Sequence, residues 1–315
     1  MTTQETAALL RTYDNVLILT HRRPDGDTIG CASALCIALR QLGRTAYLLY
    51  NRETTEHFLP YAQEFWAPED FTPDHVVSVD IASLSLLPEN AEVYRDRIEL
   101  AIDHHPSFEH FAPQSCVIPE RAACGEILYE IIEQMVSVNP EIALPLYAAV
   151  ATDTGCFVYS NTTANTHRVA AELMDTGIDY RAVNKIHFRT KSRKRLAMEA
   201  HMVDTMETYD EGRLVLMTIP LSLMEEIQAT EGDAEDLSSL AGLVEGNDCA
   251  VTMRELKPDE WKISVRTGAR VNATRVCQLM GGGGHKSAAG CTLSVPLEEA
   301  KRQVLEAYFT VSKQS

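Results

Sequence analysis

Basic residues are scarce in this chain. Its 315 residues include 28 Lys and Arg against 45 Asp and Glu, which gives a formal net charge of −17. General binding to nucleic acid rests on neutralising many phosphates with Lys and Arg. The charge therefore argues against a long duplex as partner, and any nucleic-acid substrate should be short and held locally.

Other features are absent as well. The eight cysteines form no Cys-x-x-Cys pair, which favours buried free thiols over disulfides or zinc ligands. No apolar run is long enough to span a bilayer. The first residues, MTTQETAALLRTYD, are typical of an amphipathic helix rather than of a signal peptide. Together these absences predict a cytoplasmic protein that does not bind a membrane.

Short β-rich runs alternate with helical segments in the first half of the chain. This pattern favours an α/β fold with a parallel sheet covered on both faces. The predicted strands are residues 15–20, 45–50, 75–80 and 97–103, and the predicted helices are residues 27–43, 124–136, 141–152, 163–176 and 180–188.

The pattern changes after a long, charged helical stretch. Beyond it, strands are predicted at residues 213–220, 248–256 and 260–267, the last two as an antiparallel pair, followed by a helix and a glycine run. We therefore predict an N-terminal parallel-sheet domain, a helical connector and a smaller α+β domain, at residues 1–188, 189–210 and 211–315.

Acidic and imidazole side chains follow the predicted strands, and one more acid ends a helix. Because the carboxyl ends of parallel strands share one edge of a sheet, we expect these groups to converge there. They are His21, Asp25 and Asp27 in THRRPDGD, Asp80 in SVDIAS, Asp103, His104 and His105 in AIDHHP, and Asp153 in ATDTG.

Carboxylates with a few imidazoles suit Mn²⁺ or Mg²⁺ better than zinc, and the imidazoles favour Mn²⁺. Four Asp and two His can hold two such cations only if one carboxylate bridges, and Asp80 is our candidate because it stands alone on its loop. Two cations about 3.5–4 Å apart would activate a hydroxide for in-line attack on phosphorus. Each motif alone could be a cap or a turn, but that alternative does not explain four in order at one end of a sheet.

These four motifs resemble those of the DHH phosphoesterases, in the expected order. ISVRT and GGGGHKSAAG resemble the DHH-associated C-terminal domain. The resemblance covers nearly the whole chain and is strongest, by architecture, to the NrnA-like group, which are oligoribonucleases that also dephosphorylate 3'-phosphoadenosine 5'-phosphate.

The resemblance implies a role for each residue. His21 and Asp25 would bind one metal, Asp27, His104 and Asp153 the other, and Asp80 both. Asp103 would hold His104 in the correct tautomer, and His105 would face the scissile phosphate. Cys31 stands where the family usually has serine, and we expect it to touch none of the ligands.

The glycine run of the second domain predicts a phosphate site. Bare N–H groups of Gly282, Gly283 and Gly284 could approach a phosphate, with His285 as an added donor. The alternative is a flexible turn. Arg266 offers a planar guanidinium suited to phosphate, an expectation that rests largely on the family pattern. The basic cluster at residues 191–195 is expected to be a solvated helix face, although it could also steer RNA.

Together these features predict a phosphoesterase that holds one phosphate and hydrolyses another, with short RNA or a phosphorylated nucleotide as substrate. One alternative is a phosphodiesterase for pApA, the linear dinucleotide from cyclic di-AMP. Another is a non-catalytic nucleotide-binding protein, which would be expected to lack metal ligands that are all present here. A pyrophosphatase fits the first domain but not GGGGH. We also consider a homodimer.

Overall fold

The structure, a computed structural model, describes residues 1–230, 232–234 and 237–313. The chain divides into two compact units, Met1–Thr190 and Lys191–Ser315. Within the described ranges, no helix is both long enough and apolar enough to cross a bilayer.

The first unit is built on a five-stranded sheet in the order β2-β1-β3-β4-β5. Every neighbouring pair in it is parallel, so the predicted α/β fold with a parallel sheet is confirmed. Its elements are α1 (Thr3–Leu10), β1 (Val16–Leu19), α2 (Gly26–Gln41), β2 (Ala46–Leu48), α3 (Leu59–Ala62), β3 (His75–Val79), β4 (Ile98–Asp103), β5 (Gln114–Val117), α4 (Cys124–Glu133), α5 (Pro140–Asp153), α6 (Ala164–Asp175) and α7 (Tyr180–Asn184).

Both faces of this sheet are buried. Successive side chains of a strand point to opposite faces, and the neighbours Leu17 and Ile18 lie in different hydrophobic clusters. The cluster of Ile18 includes the apolar faces of α2, α4 and α5. The cluster of Leu17 is completed by 3-10 segments and loops that lie between β2 and β5. The near-continuous apolar strands in the sequence follow from this double burial.

One edge strand, β5, was not predicted. Its sequence QSCV is only partly buried and shows neither an apolar run nor alternation. Its pairing with β4 extends the sheet beyond the four predicted strands.

The second unit is built on a six-stranded mixed sheet in the order β10-β11-β9-β8-β7-β6. The predicted antiparallel pair is β8 and β9, whereas β7 and β8 are parallel. Its elements are α8 (Arg193–Asp204), β6 (Glu207–Tyr209), β7 (Leu214–Ile219), α9 (Leu221–Glu226), β8 (Cys249–Lys257), β9 (Glu260–Thr267), α10 (Ala273–Gln278), β10 (Gly283–Gly284), β11 (Ala288–Ser294) and α11 (Leu297–Ser312).

The stretch predicted as a connector packs onto this second sheet. Met198 and Met202 of α8 are fully buried and lie in one cluster with Val215 and Met217 of β7. The opposite face of the sheet is covered by α10 and α11. Residues 191–210 therefore belong to the second unit, and the division between the units falls at Thr190.

Candidate metal centre

The predicted metal ligands come together at the carboxyl edge of the parallel sheet. Loops after β1, β3 and β4 carry most of them, and the last residue of α5 supplies another. Three groups have possible ligand atoms within 4.8 Å of one another: His21, Asp25 and Asp80; Asp27, His104 and Asp153; and Asp80, His104 and His105.

Asp80 lies between two of the imidazoles. Its Oδ2 is 3.8 Å from Nε2 of His21, and its Oδ1 is 3.6 Å from Nε2 of His104. The residue is buried and adopts a left-handed backbone with φ of 58°, a strained conformation that is uncommon for a residue other than glycine. Among the described residues, Oδ1 has no hydrogen-bond partner. The two oxygens of one carboxylate thus face two different groups of candidate ligands.

Backbone carbonyls orient the two imidazoles. Nδ1 of His21 is 2.8 Å from the carbonyl oxygen of Arg22, and Nδ1 of His104 is 3.1 Å from that of Arg121. A carbonyl only accepts, so each Nδ1 carries the proton and each Nε2 presents a lone pair. Both Nε2 atoms therefore face the neighbouring carboxylates and are available to bind a cation.

The expected role of Asp103 is wrong in one respect. Its Oδ1 accepts from the ring Nδ1 of His105 at 2.7 Å, not from the ring of His104. The same oxygen accepts from the backbone N–H of His104 at 2.6 Å and of His105 at 2.9 Å. Asp103 therefore orients the His105 ring and fixes the loop. The tautomer of His104, which Asp103 was predicted to hold, is held instead by the Arg121 carbonyl.

The two aspartates of the DGD motif are held in different ways. Asp25 caps α2, because its Oδ1 accepts from the N–H of Asp27 at 3.0 Å and of Thr28 at 3.2 Å. Asp27 is buried and accepts from the N–H of Cys124 at 2.7 Å and of Gly125 at 2.9 Å, at the start of α4.

The expectation for Cys31 is also wrong. Its Sγ donates to Oδ1 of Asp27 at 3.3 Å, so it contacts one of the proposed ligands. Burial raises the pKa of the Cys31 thiol well above its ordinary value, which keeps it in the protonated, donating form.

The electrostatics of the centre favour a cation. Burial raises the pKa of Asp27 and of Asp80 well above the ordinary value, and repulsion from Asp153 and Asp27, respectively, raises them further. Burial also raises the pKa of Asp153, although His104 opposes the effect. Carboxylates crowded in this way are costly to ionise without positive charge among them. Together with the unpartnered Oδ1 of Asp80 and the oxygen and imidazole donors, this fits Mn²⁺ or Mg²⁺.

The glycine run of the second unit divides into two parts. Gly281, with φ of 77°, and Gly282 end α10: their N–H groups donate to the carbonyls of Gln278 and Cys277 at 3.2 and 2.8 Å, the arrangement of a Schellman motif. A Cβ on Gly282 would also lie 2.2 Å from the carbonyl oxygen of Gly290. The prediction that the Gly282 N–H binds phosphate is therefore wrong, since that group is already bonded.

The rest of the run forms a hairpin beside Arg266. Gly283 and Gly284 form β10 and are exposed, as is His285, whose N–H donates to the Ala288 carbonyl at 2.7 Å. Ala288 pairs with Arg266 across β11 and β9. The guanidinium of Arg266 is half-buried and donates to Oγ of Ser238 at 3.2 Å. This hairpin and this arginine lie at the same end of adjacent strands.

The basic cluster at residues 191–195 begins α8. Lys191 and Arg195 both pair with Glu199, at 2.7 and 3.1 Å. These partly exposed ion pairs are those expected of a solvated helix face.

This fold and this cluster of carboxylates and imidazoles fit a metal-dependent phosphoesterase. The model of the DHH family, N-terminal domain, matches residues 15–151, and the model of the DHHA1 domain matches residues 222–312. The chain is 33% identical over 298 residues to the bifunctional oligoribonuclease and PAP phosphatase NrnA of Thermus thermophilus, covering 93% of this chain and 88% of that protein. The chain therefore belongs to the DHH family, and the predicted membership is confirmed.

Two further relatives extend the comparison. The cyclic-di-AMP phosphodiesterase GdpP of Geobacillus thermodenitrificans is 24% identical, over 95% of this chain but only 48% of that protein. The solved structure of an exopolyphosphatase-related protein from Bacteroides fragilis superimposes with a TM-score of 0.87 at 21% identity, covering 99% of this chain and 96% of that one. At that identity the second similarity speaks for the fold alone.

Proposed function

We propose that this protein is a two-metal phosphoesterase that hydrolyses short oligoribonucleotides and 3'-phosphoadenosine 5'-phosphate. The observation that carries the proposal is Asp80, whose two oxygens face His21 and His104 at 3.8 and 3.6 Å. A buried carboxylate shared in this way suits a pair of cations rather than one. The name of the Thermus thermophilus relative supports the choice of substrates.

Six side chains would hold the cations. His21 and Asp25 would bind one, Asp27, His104 and Asp153 the other, and Asp80 both. Once bound, the pair supplies charge neutralisation at the phosphate and lowers the pKa of water, so that hydrolysis proceeds at neutral pH. Mn²⁺ is proposed over Mg²⁺ because two of the ligands are imidazoles.

His105 would bind the phosphate that is hydrolysed. Its Nδ1 is fixed by Asp103, which leaves Nε2 for a phosphate oxygen or for the leaving oxygen. The side chain is 41% exposed, so a substrate can reach it. Asp103 is fully buried and, through this hydrogen bond, sets the direction of the ring.

The second unit would bind a phosphate that is not hydrolysed. Arg266 offers a planar guanidinium, and the exposed hairpin offers further candidate donors in Gly283, Gly284 and the imidazole ring of His285. A substrate with two phosphates, such as a bisphosphorylated nucleoside or a short RNA, satisfies both needs. A cytoplasmic location and a homodimer are not required by this proposal and stay predictions.

The test is a hydrolysis panel with metal-free protein supplied with Mn²⁺ or Mg²⁺. The substrates are a five-nucleotide RNA, 3'-phosphoadenosine 5'-phosphate, pApA and pyrophosphate, compared by kcat/KM. We expect RNA and the bisphosphate to be hydrolysed fastest with Mn²⁺. A clear preference for pApA would favour the alternative considered from the sequence, a phosphodiesterase for linear dinucleotides.

Asp80→Ala should abolish hydrolysis, whereas Asp96→Ala, at an exposed acid outside the centre, should not. Hydrolysis that needs no divalent cation, or full activity of Asp80→Ala, would contradict the proposal.

A further inference from the structure

We infer that Cys31 is a positioning residue for the metal ligand Asp27. The two residues lie four apart in α2, so their side chains share one face of the helix. The Sγ of Cys31 is 3.3 Å from Oδ1 of Asp27. Both side chains are buried, Cys31 completely and Asp27 to within 1%.

The hydrogen bonds on Asp27 distinguish its two oxygens. Oδ1 accepts from the Cys31 thiol and from the Gly125 N–H at 2.9 Å. Oδ2 accepts from the Cys124 N–H at 2.7 Å and is the oxygen that faces Nε2 of His104, at 3.7 Å. Two donors therefore engage Oδ1, while Oδ2 is turned toward the ligand group of His104 and Asp153. This pattern fixes the rotation of the carboxylate.

Cys31 is the donor that a substitution can remove. The other two donors are backbone N–H groups, which a side-chain substitution does not remove. At Gly125 a side chain would also clash, because its Cβ would lie 2.9 Å from Cβ of Ala149. At zero exposure, water does not readily replace the lost thiol. Without the thiol, Oδ1 keeps one donor and the Asp27 carboxylate rotates more freely. Cation binding must then order the carboxylate, which weakens the binding.

The effect should be confined to one of the two cations. Asp27 belongs to the group of His104 and Asp153, whereas the group of His21 and Asp25 does not include it. Loss of a donor that acts only through Asp27 should therefore weaken one binding step and leave the other unchanged.

The test is a calorimetric titration of metal-free protein with Mn²⁺, without substrate. In Cys31→Ala we expect one of two binding steps to weaken by roughly three- to tenfold, near the lower limit for an outer hydrogen-bond partner because a thiol is a weak donor. Cys31→Ser, which restores a donor, should bind Mn²⁺ at least as tightly as the wild type. The matched control is Cys36→Ala: Cys36 is also in α2 and fully buried, but its thiol donates to the Ala46 carbonyl at 3.2 Å.

The outcomes separate this inference from the function it rests on. Unchanged affinities in Cys31→Ala, or an equal loss in Cys36→Ala, would overturn the role of Cys31, as would weaker binding by a folded Cys31→Ser variant. A wild-type protein that binds fewer than two Mn²⁺ ions would instead contradict the proposed metal centre itself. If Cys31→Ala does not fold, as judged by thermal unfolding, the serine variant and the Cys36 control decide the matter.

Discussion

Gly26 lies directly against the side chain of Thr152. A Cβ built on Gly26 would be 2.3 Å from Oγ1 of Thr152, a contact that real side chains do not make. Gly26 stands between Asp25 and Asp27 in α2, and Thr152 precedes Asp153 in α5. The close contact between Gly26 and the Thr152 side chain therefore sets the acids of the first motif beside the acid of the last.

Gly26→Ala should separate α2 from α5 and impair the metal centre. The added methyl group must displace Thr152, at a cost of about 1–3 kcal/mol in the free energy of unfolding, and Asp27 and Asp153 move apart. We expect weaker Mn²⁺ binding by calorimetry and a lower melting temperature. Gly242→Ala is the control, because no described atom lies within 4 Å of a Cβ there. Thr152→Ala in the same chain should restore part of the loss, and strict additivity of the two substitutions would contradict a contact between them.

The sheet and the clustering of the candidate metal-binding side chains could be predicted because their signals are in side chains. Apolar strands alternating with helices predict a parallel sheet, and the rule that strand ends share an edge brings Asp80, His104 and the DGD motif together. No knowledge of the sheet order was needed for this. A sequence reveals residues whose role depends on the chemistry of the side chain and on its position relative to a strand.

The supporting interactions could not be predicted because many of them use the backbone. The Arg121 carbonyl that orients His104 and the Cys124 N–H that holds Asp27 leave no trace in residue type. Gly282 looked like part of a phosphate loop, but a helix end also favours glycine. A signal that was present is the pair of glycines at 26 and 30, whose spacing of four predicts a bare helix face for close packing.

Asp80→Asn should uncouple stability from metal binding. Burial raises the pKa of Asp80, so its charge is unfavourable in the metal-free protein, and the neutral amide should leave the metal-free melting temperature unchanged or higher. Wild-type protein should gain stability with added Mn²⁺ by mass action, and the variant much less. We expect kcat/KM to fall by more than roughly 100-fold, the upper end of the loss seen when a residue that only supports a metal ligand is removed. Equal stabilisation of both proteins by Mn²⁺ would contradict a bridging role.

Arg266→Ala should raise KM more than it lowers kcat. The guanidinium is proposed to hold a phosphate that does not react, so it contributes equally before and during the reaction. Loss of a charged hydrogen bond predicts a rise in KM of roughly 10- to 100-fold for a substrate with two phosphates, and Arg266→Lys should recover only part of it. Arg275→Ala removes the same charge from an exposed position on α10 and serves as the control. An equal loss in kcat and kcat/KM would instead place Arg266 at the reacting phosphate.

His187 should make the first unit less stable in acid. Burial, with a smaller effect of His57, lowers the pKa of His187 to about 4; its ring stacks on Phe58 at 5.2 Å and its Nε2 is 3.0 Å from the Tyr61 hydroxyl. The unfolded chain takes up this proton near pH 6.5 and the folded chain only near pH 4. The stabilisation is therefore complete above pH 6.5 and is lost as pH falls toward 4.

His187→Phe keeps the ring and removes this titration. Between pH 7 and 4.5 the wild type should lose on the order of 1–2 kcal/mol more unfolding free energy than the variant, a value reduced for the partial exposure of the ring. Urea unfolding of the metal-free proteins at several pH values measures the difference. The carboxylates titrate in both proteins, so their contribution cancels when the two unfolding free energies are subtracted. Parallel stability profiles would show that His187 is not buried in its neutral form.

Asp103→Asn should lower kcat without changing Mn²⁺ affinity. The amide oxygen can still accept from the N–H groups of the ligand loop, but the charge that holds the His105 ring is lost, and the amide NH₂ replaces a buried oxygen that has no partner among the described residues. We expect kcat to fall roughly 10- to 100-fold. Because Asp103 acts through His105, Asp103→Asn should lower kcat little further in a His105→Ala background. A double-mutant cycle measures this coupling. Weaker Mn²⁺ binding with an unchanged kcat would return Asp103 to the role first expected from the sequence, the support of His104.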